Sequence, residues 1–94
     1  MIIGVCTLKL YLPTAHSLKD KRSIVKSVVK RVGREFNISI AEVDYQDVWQ
    51  TTLLGIVTVS NDMAYAHQVL TRVVEWIEWH RPDVELGDFE IEML

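Results

Sequence analysis

Apolar side chains change their spacing along this chain in the order strand, helix, strand, strand, helix, strand. Residues 2–12 are rich in strand formers and carry no helix breaker after Gly4. Pro13 ends that run, because proline cannot donate to a ladder. Ser17-Leu18-Lys19-Asp20 resembles a capping box with Asp20 where glutamate is usual. From 18 to 35, Leu18, Val25, Val28, Val29 and Val32 recur at helical spacing. Residues 37–43 and 51–59 read as the second and third strands, joined by a polar and aromatic connection at 44–50. Asn61-Asp62 caps a second helix that runs to about His80. Arg81-Pro82-Asp83 stops it, since the residue before proline avoids the helical region. Residues 84–93 set Phe89, Ile91 and Met93 against Glu90 and Glu92, the alternation of a half-wet edge strand.

With 94 residues the chain holds one domain. The βαββαβ order predicts a ferredoxin-like α+β fold over residues 1–94. Right-handed crossovers put both helices on one face of a four-stranded antiparallel sheet, in strand order 4-1-3-2. A 49% apolar, 24% charged composition is that of a globular chain. No apolar run approaches the roughly 20 residues that span a bilayer, and Met1-Ile2-Ile3-Gly4 lacks the features of a signal peptide. The lone Cys6 cannot form an internal disulfide, and with scattered histidines it cannot build a zinc finger. A cytoplasmic protein without membrane, metal or cofactor is the expectation.

The charge is segregated. The net value is −3, which by itself argues against a generic nucleic-acid binder. Yet Lys19, Lys21, Arg22, Lys26, Lys30, Arg31 and Arg34 are opposed between Ser17 and Arg34 only by Asp20, a local +6. From Glu75 to Glu92 seven carboxylates face only Arg81. Such asymmetry within one domain points to an anionic partner on one face.

At 100° per residue the apolar positions of the first helix fill a sector roughly 100° wide. Lys19, Arg22, Lys26, Lys30 and Arg34 fill an adjoining sector of about 120°. Gly33 lies within the basic sector, where a ligand can approach the backbone closely. Like charges four apart weaken a helix slightly. The row is either a solvated surface or a stripe for the phosphates of RNA, with Lys21 and Arg31 adding to its field.

The second helix has a core stripe of Met63, Ala66, Leu70, Val73, Val74 and Ile77. Tyr65, Val69, Arg72, Trp76 and Trp79 form a second stripe about 120° away. That flank either packs beside the first helix or under the last strand, or it meets a partner or a second copy. Both faces of the central strands are partly apolar as well. Cys6, Leu8, Leu10, Leu54 and Ile56 line one face, and Ile3, Val5, Leu53, Val57 and Val59 the other. The helices cover only one face, so the other is a candidate surface for a homodimer or for a ligand on the sheet.

Catalytic groupings are not visible. His16, His67 and His80 have no partner at metal-ligand spacing, and Cys6 in mid-strand behaves as a small buried hydrophobe. The loop after the first strand, Leu12-Pro13-Thr14-Ala15-His16, has neither the glycines nor the arginine of an acylphosphatase-type anion loop. It also has no C-x-x-C, and the strands carry no aromatic RNA-recognition signature. In the connection, Tyr45, Asp47 and Trp49 form either a hairpin that the two aromatics lock to the body or a partner-contact tip.

The runs 15–22 (AHSLKDKR) and 37–50 (NISIAEVDYQDVWQ), with Leu54-Gly55 and Ser60-Asn61-Asp62, resemble the signatures of the YlxP-like family, domain of unknown function 503. The resemblance covers essentially the whole chain. Asp20 stands where the family often has Glu, and Tyr45 where it often has His, which weakens any catalytic histidine there. The resemblance implies a ferredoxin-like fold and a small bacterial protein without an established reaction. It also implies gene neighbours devoted to translation initiation and ribosome maturation. The expectation is therefore a non-enzymatic protein that binds structured RNA or a ribosomal particle. The alternative is a protein-interaction or homodimer module using the open sheet face or the aromatic stripe.

Overall fold

A computed structural model describes residues 1–94. The chain runs β1 (Ile2–Tyr11), α1 (Leu18–Glu35), β2 (Ser39–Asp44), β3 (Thr51–Ser60), α2 (Met63–His80), β4 (Glu85–Met93). All neighbouring strands pair antiparallel, in the order β2-β3-β1-β4. This is the predicted 4-1-3-2 order read from the opposite edge. α2 lies over β1, β3 and β4, and α1 lies toward β2. No helix is long and apolar enough to cross a membrane.

The core follows from the two periods. Cys6, Leu8 and Leu10 alternate on β1, and Leu54 and Ile56 on β3, beneath Val28 and Val32 of α1 and Leu70, Val73 and Ile77 of α2. Fully burying each large aliphatic among these contributes about 1.5–3 kcal/mol. The opposite face of β1 and β3 is uncovered. There Ile3 pairs with Val59, Val5 with Val57 and Lys9 with Leu53.

Strand ends differ from the sequence expectation by a residue or two, because local hydrogen bonds compete with the ladder. Ile38 N–H donates to the Phe36 carbonyl and Thr58 Oγ1 to the Asn37 carbonyl, so β2 starts at Ser39 and not at Asn37. Val84 N–H donates to the Arg81 carbonyl, a local turn bond, whereas Leu12 N–H continues the β1–β3 register to the carbonyl of Gln50, which already belongs to the turn. Val84 and Leu12 therefore lie outside their strands. Met63 is a correction too. The periodicity predicts it on the core stripe, but as the first residue of α2, directly after the Asp62 cap, it is 56% exposed. The core begins one turn later, at the buried Ala66.

Two bulges shape the edges. Val43 is the extra residue of β2 against β3, and its side chain lies over Gly55, where a Cβ would stand 2.9 Å from Val43 Cγ1. On β4 the register slips opposite Lys9, at Gly87. A Cβ at Gly87 would meet the Tyr11 ring at 2.9 Å, so glycine is required there by close approach.

Cys6 is completely buried, and burial pushes its thiol up to about 11. In native protein at pH 8 a thiol reagent should leave it unmodified, and in denaturant the same reagent should modify it stoichiometrically. Fast labelling of the native chain would contradict the packing described.

Candidate nucleic-acid interface

The start of α1 is set by short-range bonds. Ser17 Oγ accepts from Asp20 N–H at 3.0 Å. Asp20 Oδ2 reaches back to accept from His16 N–H at 3.1 Å. The aspartate thus closes the cap one residue earlier than glutamate does in a standard capping box.

Beyond the cap, the charges of α1 divide by what they touch. Lys21, expected to add to the basic field, is fully buried. Its Nζ lies 2.9 Å from Glu42 Oε2 and donates at 2.9 Å to the Val48 carbonyl. The Tyr45 carbonyl accepts a third, shorter bond. Glu42 in turn accepts from Thr52 Oγ1. An ammonium has three donors, and all three are satisfied in a place where an unpaired charge is costly. The signal for this was present in the sequence: on the helical wheel Lys21 falls at about 300°, inside the apolar sector of α1.

Lys21 therefore anchors the 44–50 connection, a role the sequence reading gave to the aromatics. Trp49 is 52% exposed and does not lock the hairpin. Asp47 is exposed as well. Tyr45 takes a left-handed backbone, φ 64°, with its N–H held by Asp44 Oδ1 at 2.7 Å. Its ring and that of Tyr11 flank the Lys9 ammonium, at 5.2 and 5.5 Å from the ring centroids. Gln50 Nε2 donates to the Ala15 carbonyl at 3.2 Å and so ties the connection to the loop that precedes α1.

Arg31, also expected to add to the field, turns toward α2, with its guanidinium 5.4 Å from the Trp76 ring centroid. Trp76 stacks on His80 at 4.6 Å. His80 Nδ1 lies 3.0 Å from the Trp76 carbonyl, which only accepts, so that nitrogen carries the proton. Nearby, Arg81 grips Asp83 with two bonds of 2.9 and 2.7 Å and donates to Ser27 Oγ at 2.8 Å, fastening α1 to the end of α2. The sequence reading missed this pin, because Ser27 and Arg81 stand 54 positions apart.

The aromatic stripe of α2 does not survive as one surface. Val69 is buried, which removes it from the candidate interface. On the wheel it is the stripe member nearest the core sector. Trp76 is covered by Arg31 and His80. Tyr65, Arg72 and Trp79 are exposed, but Tyr65 and Trp79 lie near opposite ends of the helix.

Lys19, Arg22, Lys26, Lys30 and Arg34 are all exposed. None forms an ion pair: the salt bridges of the molecule are Lys21–Glu42 and Arg81–Asp83. Gly33 lies open among them, with nothing within 4 Å of a built Cβ. Beside the row, between α1 and β2, runs an open groove of about 550 Å³. No group of three or more His, Cys, Asp or Glu is placed to hold a metal ion.

The model of the family described as "Protein of unknown function (DUF503)" matches residues 3–91. The uncharacterized protein YlxP of Bacillus subtilis (strain 168) is 38% identical over 84 residues, spanning 89% of this chain and 90% of that protein. Two de novo designed proteins share the fold. Foldit4 has a TM-score of 0.52 at 14% identity, covering all of this chain and 97% of its own. LFR1 1, with ferredoxin fold, has 0.52 at 21% identity, covering all of this chain and 83% of its own.

Lys21→Ala should destabilise the protein by about 1–3 kcal/mol, because the half-buried Glu42 loses its counter-charge and the carbonyls of the 44–50 connection lose their donor. Lys21→Met with Glu42→Leu should recover part of that loss, since no carboxylate is then left without its counter-charge. Urea unfolding followed by tryptophan fluorescence checks both. The Arg81 guanidinium holds the Asp83 carboxyl below its usual range, against the opposing effect of burial. A depressed carboxylate stabilises above its unfolded pKa, and that contribution is lost as pH falls through the folded value. The melting-temperature gap between wild type and Asp83→Asn should therefore be full near pH 7 and should close in acid.

Proposed function

Because the chain belongs to the DUF503 family, whose description assigns no activity, we propose its function from the geometry: a non-enzymatic protein that binds structured RNA or a ribosomal particle through α1. One observation carries this reading. Five cations, Lys19, Arg22, Lys26, Lys30 and Arg34, share one exposed helix face and have no ionic partner within the molecule. A solvated helix face normally interleaves both signs, because like charges four apart cost a few tenths of a kcal/mol per pair. Of the seven cations of α1, Lys21 and Arg31 are engaged within the fold, and the other five form the row.

The rest of the surface supports the same reading. α1 lies toward β2, while the exposed Glu85, Asp88, Glu90 and Glu92 belong to β4, at the other edge of the sheet. An anionic polymer is attracted to one edge and repelled from the other, which orients the encounter and limits indiscriminate binding. Contacts of this kind hold phosphates and read no sequence.

A second reading rests on a separate observation. The uncovered sheet face shows Val43 at 51% and Val59 at 61% exposure, beside Val5, Leu53 and Val57. That surface suits a second copy of the chain, and it leaves α1 free. Sedimentation at several concentrations tests it, and a monomer throughout would remove it.

Affinity for ribosomal RNA or purified subunits should fall with salt, with a log–log slope of about −3 to −5 if five phosphates are neutralised. Lys26→Glu with Lys30→Glu should abolish binding at physiological salt without lowering the melting temperature. Unchanged affinity in that variant would refute the role of α1.

A further inference from the structure

We propose that the groove between α1 and β2 holds a short single-stranded stretch of RNA, with phosphates along the helix and base faces on the groove floor. The inference rests on the preceding reading of α1 and narrows it, from structured RNA as a whole to an unpaired loop, bulge or end within it.

Three features of the groove carry it. First, its helical rim is Arg22, Lys26 and Lys30, spaced four residues apart. At 1.5 Å per residue this sets one cation about every 6 Å along a line of about 12 Å. That is the arrangement of a channel that tracks one backbone, with room for a few nucleotides.

Second, the floor is apolar. Val25 and Val29 come from α1 and Ile40 from β2. Val29 and Ile40 are only half-buried, so the folded chain leaves this surface wet. A duplex turns its base faces inward onto one another and offers such a floor nothing to cover. An unpaired strand can lay its bases flat on it.

Third, the far wall is an edge. β2 pairs with β3 alone, so the outer N–H and C=O groups of Ser39–Asp44 have no ladder partner. Fixed backbone donors and acceptors along a groove can bond the edges of unstacked bases.

The groove holds one carboxylate, Glu42, and Lys21 neutralises it at 2.9 Å. Phosphates at the rim therefore meet no free anion. An extended acidic peptide is the competing occupant, because a bare edge can also accept a strand. The three uninterrupted cations favour the ligand that carries a charge on every unit.

The test uses the full chain, labelled with ¹⁵N and methyl ¹³C. It is titrated with a short single-stranded oligoadenylate, with a duplex RNA of equal length, and with an acidic strand-forming peptide. The expected result is about tenfold tighter binding of the single strand than of the duplex. It should come with shifts in the Ser39–Asp44 amides and in the Val25, Val29 and Ile40 methyls. Ile40→Ser should cost the single strand about tenfold in affinity and leave duplex binding unchanged. The wild-type shifts decide the matter should that variant fold poorly. If the duplex binds as well as the single strand, with shifts confined to the exposed face of α1, the groove proposal falls and the RNA reading stands. If neither RNA binds at low salt, both fall. If only the peptide shifts the β2 amides, the groove is a strand-addition site and the proposal is overturned.

Discussion

The Lys21 ammonium is the interaction on which the rest of this small fold leans. It sits where the apolar face of α1 meets the end of the sheet, fully out of water. A charge there survives only with every donor paired, and the chain supplies those partners from Glu42 and from the carbonyls of the 44–50 connection. One side chain thereby fixes where α1 begins to pack and which way the β2–β3 connection turns. It also compensates a backbone that is otherwise unfavourable, since Tyr45 is held in the left-handed region at a cost of about 1–2 kcal/mol.

That arrangement sorts the basic residues by geometry into two sets. Lys21, Arg31 and Arg81 face inward or toward α2 and hold elements together, through an ion pair, an aromatic face and a bidentate carboxylate. The outward set is held by nothing in the molecule, yet it stands in register because the helix beneath it is fastened along its length. A rigid row of cations loses less freedom on binding than the same charges on a loose segment, so more of its electrostatic attraction remains as affinity.

The fold was legible because each element carried its own period. Two helices with caps at Ser17 and Asp62, two prolines outside the elements and an alternating last strand leave one familiar topology. The exposed cations were legible for the same reason, as positions on a wheel. The tertiary uses of charge were not. Lys21 was counted with its basic neighbours although its angle placed it among valines, because a lysine is rarely fully buried. The sequence marks Arg81 only as a helix stop, because Ser27 comes beside it solely through the packing of α1 on the end of α2. Val69 and Met63 exchanged roles for a further reason: the wheel gives an angle but does not say where along the helix the sheet ends.

The edge of β2 has one more consequence. Short as it is, Ser39–Asp44 contains no proline and no lysine of its own, the usual guards against sheets adding to one another. To the bulge at Val43 and its own carboxylates it adds a guard borrowed from α1. Two copies approaching β2 to β2 would bring two rows of unneutralised cations together, and the approach would be resisted before any backbone bond formed. This protection is electrostatic, so it reaches only about a Debye length, roughly 8 Å at physiological ionic strength, and it fades as salt rises. The row proposed to meet a polyanion would thus also help to keep this edge from its own kind.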